Sequence, residues 1–410
     1  MLRYIKIASF YKQAIDAYYR TFPDMETENY ETQYRHFMDQ CYSWGDVYER
    51  ELTDIGIDAF LLPTNVDPLI RQWALENNIE GTLQDIVLLQ LKEFTPDIIY
   101  IDDTSFFAPY RIGDLRKEIP RLKLIIGGCC SPYNTYTLQV YRQCDFVICC
   151  CKQLSEELRK MDIRTYVVMH GFDSSILSKI NDNPNRDIDV LFTGSIMSGR
   201  GFHRGRSELI NAILRSGINI HVYGNITADK FLTTTLKQIA YFFLLCIKKI
   251  NTFSLPESIS RRIGGKAFPQ YLRIPYLIRK NAKPPVFGLE MLGLLKRSKI
   301  CLNAHGDIAV DGAANMRLFE ATGMGCCLVT DWKIDMCKLF DDGAEVITYQ
   351  DAEDCINKLK WLLDHPDRIR DIAEAGQRRC LRDYTILERS REIYEILKKE
   401  LIQRFPEASF

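Results

Sequence analysis

Along the chain, short apolar runs recur at intervals, and between them lie longer stretches whose apolar positions return every three or four residues. The runs suit strands buried on both faces and the stretches suit amphipathic helices, so the alternation predicts parallel sheets covered by helices. IKIAS, around Ile5, is the first expected strand. GDVYERELTDIG is a helix closing on Gly56 before the strand AFLLP. DPLIRQWALENN and LQDIVLLQLKEF are helices leading to PDIIYIDD, a strand that ends in Asp102 and Asp103. LKLIIGG, DFVICCC and TYVVMHG repeat the theme, with the helix KQLSEELRKM between the last two. These elements predict one Rossmann-like domain over residues 1–180, closing in HGFDSSIL and a polar linker, SKINDNPNRD.

A second alternation begins at once. IDVLFTG and INIHVYG are strands flanking the helix RGRSELINAILRSG, which ends at Gly217. FGLEMLGLLKRS, KICLNAHGD, ANMRLFEATGMG, CCLVTD and EVITY continue it as helix, strand, helix, strand and strand. The expected second Rossmann-like domain covers 187–390, and 391–410 is a terminal helix that packs back across the first domain. The fold class expected is therefore α/β, with two Rossmann-like domains facing a central cleft and a helical tail.

Composition narrows the setting. A chain of 410 residues, 46% hydrophobic and 26% charged, is globular and longer than one core usually serves. MLRYIKIASFYKQ lacks the apolar core of a signal peptide, so the fourteen cysteines read as the thiols of a cytoplasmic protein. Cys129 with Cys130, Cys149 to Cys151, and Cys326 with Cys327 sit in apolar runs and read as buried strand cysteines. No metal site is expected, because tetrahedral zinc sites use pairs spaced by two to four residues. No stretch approaches the roughly 18 uninterrupted apolar residues of a membrane span.

A net charge of −1 argues against a nucleic-acid partner bound over the whole surface. The balance is uneven, however. Residues 226–285 hold eleven Lys or Arg against Asp229 and Glu257, a net of +9. This basic insertion mixes an apolar stripe, LTTTLKQIAYFFLLCIKKI, with Arg, Tyr and Pro in RRIGGKAFPQYLRIPYLIRK. It reads as a segment lying on an anionic membrane surface, as a buried helix with a charged rim, or as an RNA-binding segment.

Ligands of doubly wound sheets sit at the carboxyl ends of strands. In LFTGSIMSGRGFHRGR, the amides of Gly194 and Ser195 with Arg200, Arg204 and Arg206 suit a diphosphate; a solvated basic loop is the alternative. LNAHGD offers Asn303, His305 and Asp307, where His305 is a candidate general acid or base, or a helix cap. In ANMRLFEATGMGCCLVTD, Glu320 is placed to accept ribose hydroxyls and Arg317, on the same helix face, to reach phosphate, with Gly323 and Gly325 closing the helix. A surface salt-bridging helix is the bland reading. In the first domain, Asp102 and Asp103 are candidate bases or helix caps. Gly127 and Gly128, before SPYNTY, mark a loop for acceptor contacts, and His170 in MHGFD is either functional or structural.

PPVFGLEMLGLLKRSKICLNAHGD followed by RLFEATGMGCCLVTD resembles the carboxyl-terminal domain of bacterial GT-B glycosyltransferases of the spore-maturation CgeB-like group, distant relatives of the retaining glycosyltransferase family four. HGFDSSIL, DIDVLFTGS, QWALENN and FTPDIIYIDD resemble that group's amino half, so the similarity spans most of the chain outside 226 to about 283. The resemblance implies metal-independent sugar transfer from a UDP- or GDP-linked donor, without further cofactor, to a cell-surface polysaccharide or lipid-linked glycan. It implies donor-ribose binding by Glu320. Family-four enzymes usually carry a second glutamate eight residues earlier; here Gly312 stands there, beside Asp311, which leaves the anomeric outcome open. Two other functions share the architecture: a nucleotide-sugar epimerase and a catalytically inactive binding module. The expected location is the cytoplasm, with peripheral attachment to the inner face of the membrane.

Overall fold

The computed structural model describes residues 1–42, 45–180, 185–197, 204–227, 231–249, 274–306, 312–313 and 315–406. Two six-stranded parallel sheets organise it. The first contains β1 (Arg3–Ala8), β2 (Asp58–Pro63), β3 (Ile98–Ile101), β4 (Leu124–Cys129), β5 (Phe146–Cys149) and β6 (Thr165–Val167), in the order β2-β1-β3-β4-β5-β6. Strand direction in sequence reverses between β1 and β3, which makes their carboxyl ends the switch point where such sheets bind ligands.

The two faces of this sheet are built by the two-residue period of its strands. Ile5, Ile7, Ile99, Ile101 and Ile125 share one core with residues of helices Asp67–Glu76, Leu83–Phe94 and Pro109–Glu118. Their sequence neighbours Tyr4, Ile98, Tyr100, Leu124 and Ile126 share the other with helix Val47–Asp54. The terminal helix Ile386–Arg404 completes that second face, burying Ile386, Ile393, Leu397 and Leu401 in it. At about 1.5–3 kcal/mol per buried aliphatic side chain, this contact is a large part of what holds the tail on the first sheet. A further tie is polar: Glu400, fully buried, accepts from Arg164 Nη2 at 2.6 Å and from the Tyr166 hydroxyl.

The second sheet contains β7 (Ile188–Thr193), β9 (Ile220–Tyr223), β11 (Ala282–Lys283), β12 (Ser298–Asn303), β13 (Cys327–Asp331) and β14 (Ile347–Tyr349), in the order β11-β9-β7-β12-β13-β14; β8 (Ile196–Met197) and β10 (Ile226–Thr227) pair apart from it. Its order reverses between β7 and β12. By density of contacts the chain divides into two compact units, one of Met1–Leu191 with Val286–Phe410 and one of Phe192–Pro285. In the latter, helix Phe231–Lys249 exposes Leu232, Leu236, Ile239, Phe242 and Phe243. No described helix is long and apolar enough to cross a membrane.

Two local expectations change, and one glycine pair is explained. Gly127 and Gly128 lie inside β4, as the strand reading of LKLIIGG expects. A Cβ on Gly128 would sit 2.8 Å from the Tyr100 hydroxyl and 2.9 Å from Asp102 Oδ1, so close packing explains the glycine. Cys130 is exposed, unlike Cys129, Cys149, Cys150 and Cys151, because it lies just past the strand end. The helix expected over ANMRLFEATGMG spans only Arg317–Gly323, and Arg317 N donates to Asn315 Oδ1 at 2.9 Å at its start.

Candidate active site

The polar residues of the second sheet gather where β12, β13 and β14 end. Asn303 is the last residue of β12 and pairs in register with Thr330 of β13. Its Nδ2 donates to Thr330 Oγ1 at 2.9 Å, its Oδ1 accepts from Asn315 Nδ2 at 2.8 Å, and its carbonyl accepts from the Tyr349 hydroxyl at 2.8 Å. With its amide and carbonyl so engaged, Asn303 fixes the strand ends and the start of helix Arg317–Gly323 together.

Two residues on, His305 turns back onto the end of β13. Its backbone N donates to Asp331 Oδ1 at 2.8 Å and its Nδ1 lies 2.7 Å from the same oxygen. A carboxylate only accepts, so the proton belongs on Nδ1, and Nε2 is left as the ring's reactive atom. Nε2 is buried and has no hydrogen-bond partner among the described residues. Burial pushes the Asp331 carboxyl up, but the hydrogen bonds and charge of His305, with Lys333 Nζ at 3.4 Å, outweigh it and hold the pKa below the ordinary value. Asp331 therefore stays ionised under its histidine, an arrangement suited to proton transfer or to donation toward a developing anion.

Helix Arg317–Gly323 supplies the next pair. Arg317 Nη1 lies 2.8 Å from Glu320 Oε2, with both side chains 14% exposed. Arg317 also contacts the Met291 sulfur, and its Nε is buried without a partner among the described residues. Two opposite charges held this far out of water restrain each other, and each keeps hydrogen-bonding capacity for a ligand. Gly323 is buried, and a Cβ there would meet the Phe172 ring at 2.3 Å. Packing against Phe172 accounts for this glycine.

In the unit Phe192–Pro285, Gly194 and Ser195 form the turn after β7. Gly194 N donates to Tyr223 O at 3.0 Å, and Arg206, buried, donates from Nη1 to Ser195 O at 3.3 Å while its guanidinium lies 6.0 Å from the Phe192 ring centre. Arg206 thus braces the turn from behind. Arg200, Asp307 and Asp311 lie outside the described residues.

At the switch point of the first sheet, Lys6 of β1 is buried and its Nζ lies 3.8 Å from Asp102 Oδ2. Burial pushes the Lys6 pKa down, but Asp102, Glu49 and Cys130 together raise it, so the ammonium persists. Glu49 of helix Val47–Asp54 is 2% exposed, with neither carboxylate oxygen hydrogen-bonded among the described residues. Burial pushes its pKa up to about 7, against the opposing pull of Lys6. Asp103 is engaged otherwise: Oδ2 accepts from Thr64 Oγ1 at 2.8 Å, and Oδ1 from Ser105 N at 3.0 Å and Ser105 Oγ at 2.6 Å. Those bonds shape the loop after β3, and they set Asp102 apart as the carboxylate facing Lys6. His170 is buried on the same side, and its pKa is lowered to about 4 by burial and by Lys6.

Asp331, Asn315 and Asp335, which accepts from Ala313 N at 2.7 Å, are site residues that sequence patterns did not single out. The available signal was the same as for Asp102: an aspartate that terminates an otherwise apolar strand, here CLVTD.

Residues 242–395 match a family model described as glycosyl transferase-like. No curated protein matches the chain in sequence. Among solved structures, the chain is similar to HepE of Anabaena in complex with UDP and glucose, with a TM-score of 0.53 and 12% identity over 97% of this chain and 100% of that one. It is also similar to sucrose-phosphate synthase of Thermosynechococcus elongatus, with a TM-score of 0.55 and 10% identity over 98% of this chain and 100% of that one. A glycosyltransferase of Rickettsia africae aligns at a TM-score of 0.53 and 10% identity over 98% of each chain. At these identities the likeness is one of fold. The chain has the GT-B fold, and its residues 242–395 are similar to a glycosyl transferase-like domain.

Proposed function

We propose that the protein transfers a sugar from a UDP- or GDP-linked donor to a cell-surface polysaccharide or lipid-linked glycan, without a metal in the reaction, and that it belongs to the CgeB-like group related to family four. The observation that carries this reading is the pair of buried His305 and partly buried Asp331 at the ends of β12 and β13, joined through Asn303 and Asn315 to the helix of Arg317 and Glu320. HepE, solved in complex with UDP-glucose, supports the donor class.

Glycosyl transfer leaves a nucleoside diphosphate whose negative charge grows in the transition state, so preorganised cations and amides aimed at the phosphates lower the barrier. Glu320 accepts the ribose hydroxyls and Arg317 reaches the phosphates. His305 Nε2 accepts from a sugar hydroxyl, or donates to the leaving phosphate once it carries a second proton. Gly194, Ser195 and Arg200 are the donors assigned to the diphosphate. Asp102, paired with Lys6, is the proton acceptor for the acceptor hydroxyl if transfer inverts the anomeric carbon. Residues 1–180 serve the acceptor and 187–390 the donor.

The basic insertion supports a place at the inner face of the membrane. Leu232, Leu236, Ile239 and Phe243 recur at helical spacing on one exposed face, in a segment of net charge +9. Flotation with anionic liposomes at low salt tests this, and protein left unbound contradicts it. Calorimetric titration with UDP, GDP and their sugar conjugates tests the donor site: one of the two nucleotides binds, and binding of neither overturns the reading.

A further inference from the structure

Three soft or borderline ligands converge at the end of the first sheet, outside the site described for the donor. Cys130 follows β4, Cys150 follows β5 and His170 follows β6. Their ligating atoms all lie within 4.8 Å of one another. The convergence is a product of sheet register. Cys129 pairs with Cys149, and Cys149 in turn with Val167, so residues just past these three strand ends become neighbours. Adjacent strands stand about 4.8 Å apart, a distance that side chains close easily onto one ion.

We propose that Cys130, Cys150 and His170 form a zinc site, with the fourth position left to water or to the Asp102 carboxylate. Two thiolates and an imidazole are a donor set that zinc takes in tetrahedral geometry, and a site with three protein ligands keeps one position open. Cys150 and His170 are buried and Cys130 is exposed, so the site has an anchored floor and an entry side. Asp102, Lys6, Cys130 and His170 line one small cavity, of about 40 Å³, which places the open position toward the Lys6–Asp102 pair.

The charge balance is simple. Binding converts two thiols to thiolates and releases two protons, and the dication with two thiolates is neutral next to the Lys6–Asp102 ion pair. The ion would pin the ends of three consecutive strands and hold the loop after β4 beside Asp102. Only residues of the first domain hold the ion, independently of the donor, the acceptor and the reaction.

Cobalt is the probe, because thiolate-bound Co²⁺ absorbs through sulfur-to-metal charge transfer whereas Zn²⁺ is silent. Fully reduced, metal-stripped full-length protein is titrated with Co²⁺ and then with Zn²⁺. The expected result is one Co²⁺ per chain with a thiolate charge-transfer band and tetrahedral visible absorption, both erased by one equivalent of Zn²⁺. Cys130→Ser changes an exposed residue, so folding survives; it weakens Co²⁺ binding by at least about tenfold and lowers the charge-transfer intensity. His170→Gln lowers the affinity while retaining the charge-transfer band. Cys337→Ser, an exposed cysteine elsewhere, changes neither. Absence of the band in the reduced wild-type protein overturns the site. So does a band that survives unchanged in Cys130→Ser, or one that Cys337→Ser abolishes equally.

Discussion

The imidazole of His305 and the carboxylate of Asp331 meet at 2.7 Å although 26 residues separate them, because β12 and β13 run side by side and end together. Asp331 fixes the proton on Nδ1 and supports a positive charge on the ring when Nε2 takes a second proton. Asp331→Asn gives a side chain that can donate as well as accept, so the tautomer is no longer fixed. We expect Asp331→Asn and His305→Ala each to lower kcat by about a hundredfold or more while the donor's dissociation constant moves far less. Steady-state kinetics together with nucleotide titration check this. Equal losses in both quantities would assign the pair to binding alone.

Glu320 and Arg317 form an ion pair in which each side chain is only 14% exposed. If Glu320 accepts the ribose hydroxyls, Glu320→Ala weakens nucleotide binding by roughly tenfold to a hundredfold, the value of a hydrogen bond to a charged group. Glu320→Gln keeps an acceptor oxygen and recovers part of that loss. Circular dichroism guards against unfolding, since Arg317 is left without its carboxylate. Unchanged nucleotide affinity in a folded Glu320→Ala refutes the ribose assignment.

Buried Glu49 makes stability depend on pH. Its folded pKa of about 7 lies above the ordinary 4.5, so the unfolded chain gives up this proton more readily. Its contribution is therefore complete below about pH 4.5 and is lost as pH rises through about 7. Glu49→Gln removes the dependence, and at pH 8 its stability relative to wild type improves by up to about 3 kcal/mol compared with pH 4.5. Urea unfolding at both pH values measures the change. Parallel pH dependence in the two proteins contradicts it.

Gly323 is the subject of a packing prediction. Gly323→Ala drives a methyl into the Phe172 ring and costs about 1–3 kcal/mol, as overpacking does. Phe172→Leu in the same chain recovers part of the loss. A thermal melt of the single and double variants checks the coupling, and additive losses would place the cause elsewhere.

These cases show which parts of the molecule local sequence carries. Strands such as PDIIYIDD and helices such as LQDIVLLQLKEF were legible because their periodicity is a property of neighbouring residues. The aspartates that end strands were legible as a class, but not their separate tasks. Asp103 is occupied by Thr64 and Ser105, while Asp102 faces Lys6, and only the return of the chain through β2 distinguishes them. Asp331 escaped notice because its partner comes from the next strand over. Gly323 looked like part of a ligand turn because Phe172 is distant in sequence. Cysteine spacing along the chain likewise argued against a metal, whereas sheet register brings Cys130 and Cys150 together.

Cleavage of a nucleotide-sugar bond is the reaction proposed for this site. Release of UDP or GDP from a panel of sugar nucleotides, with and without glycan acceptors, measures it directly in wild type and in His305→Ala. Nucleoside diphosphate release is expected from at least one donor, accelerated by a productive acceptor and reduced about a hundredfold or more in His305→Ala. Tight nucleotide binding with no release from any donor would contradict it and leave the chain a binding module.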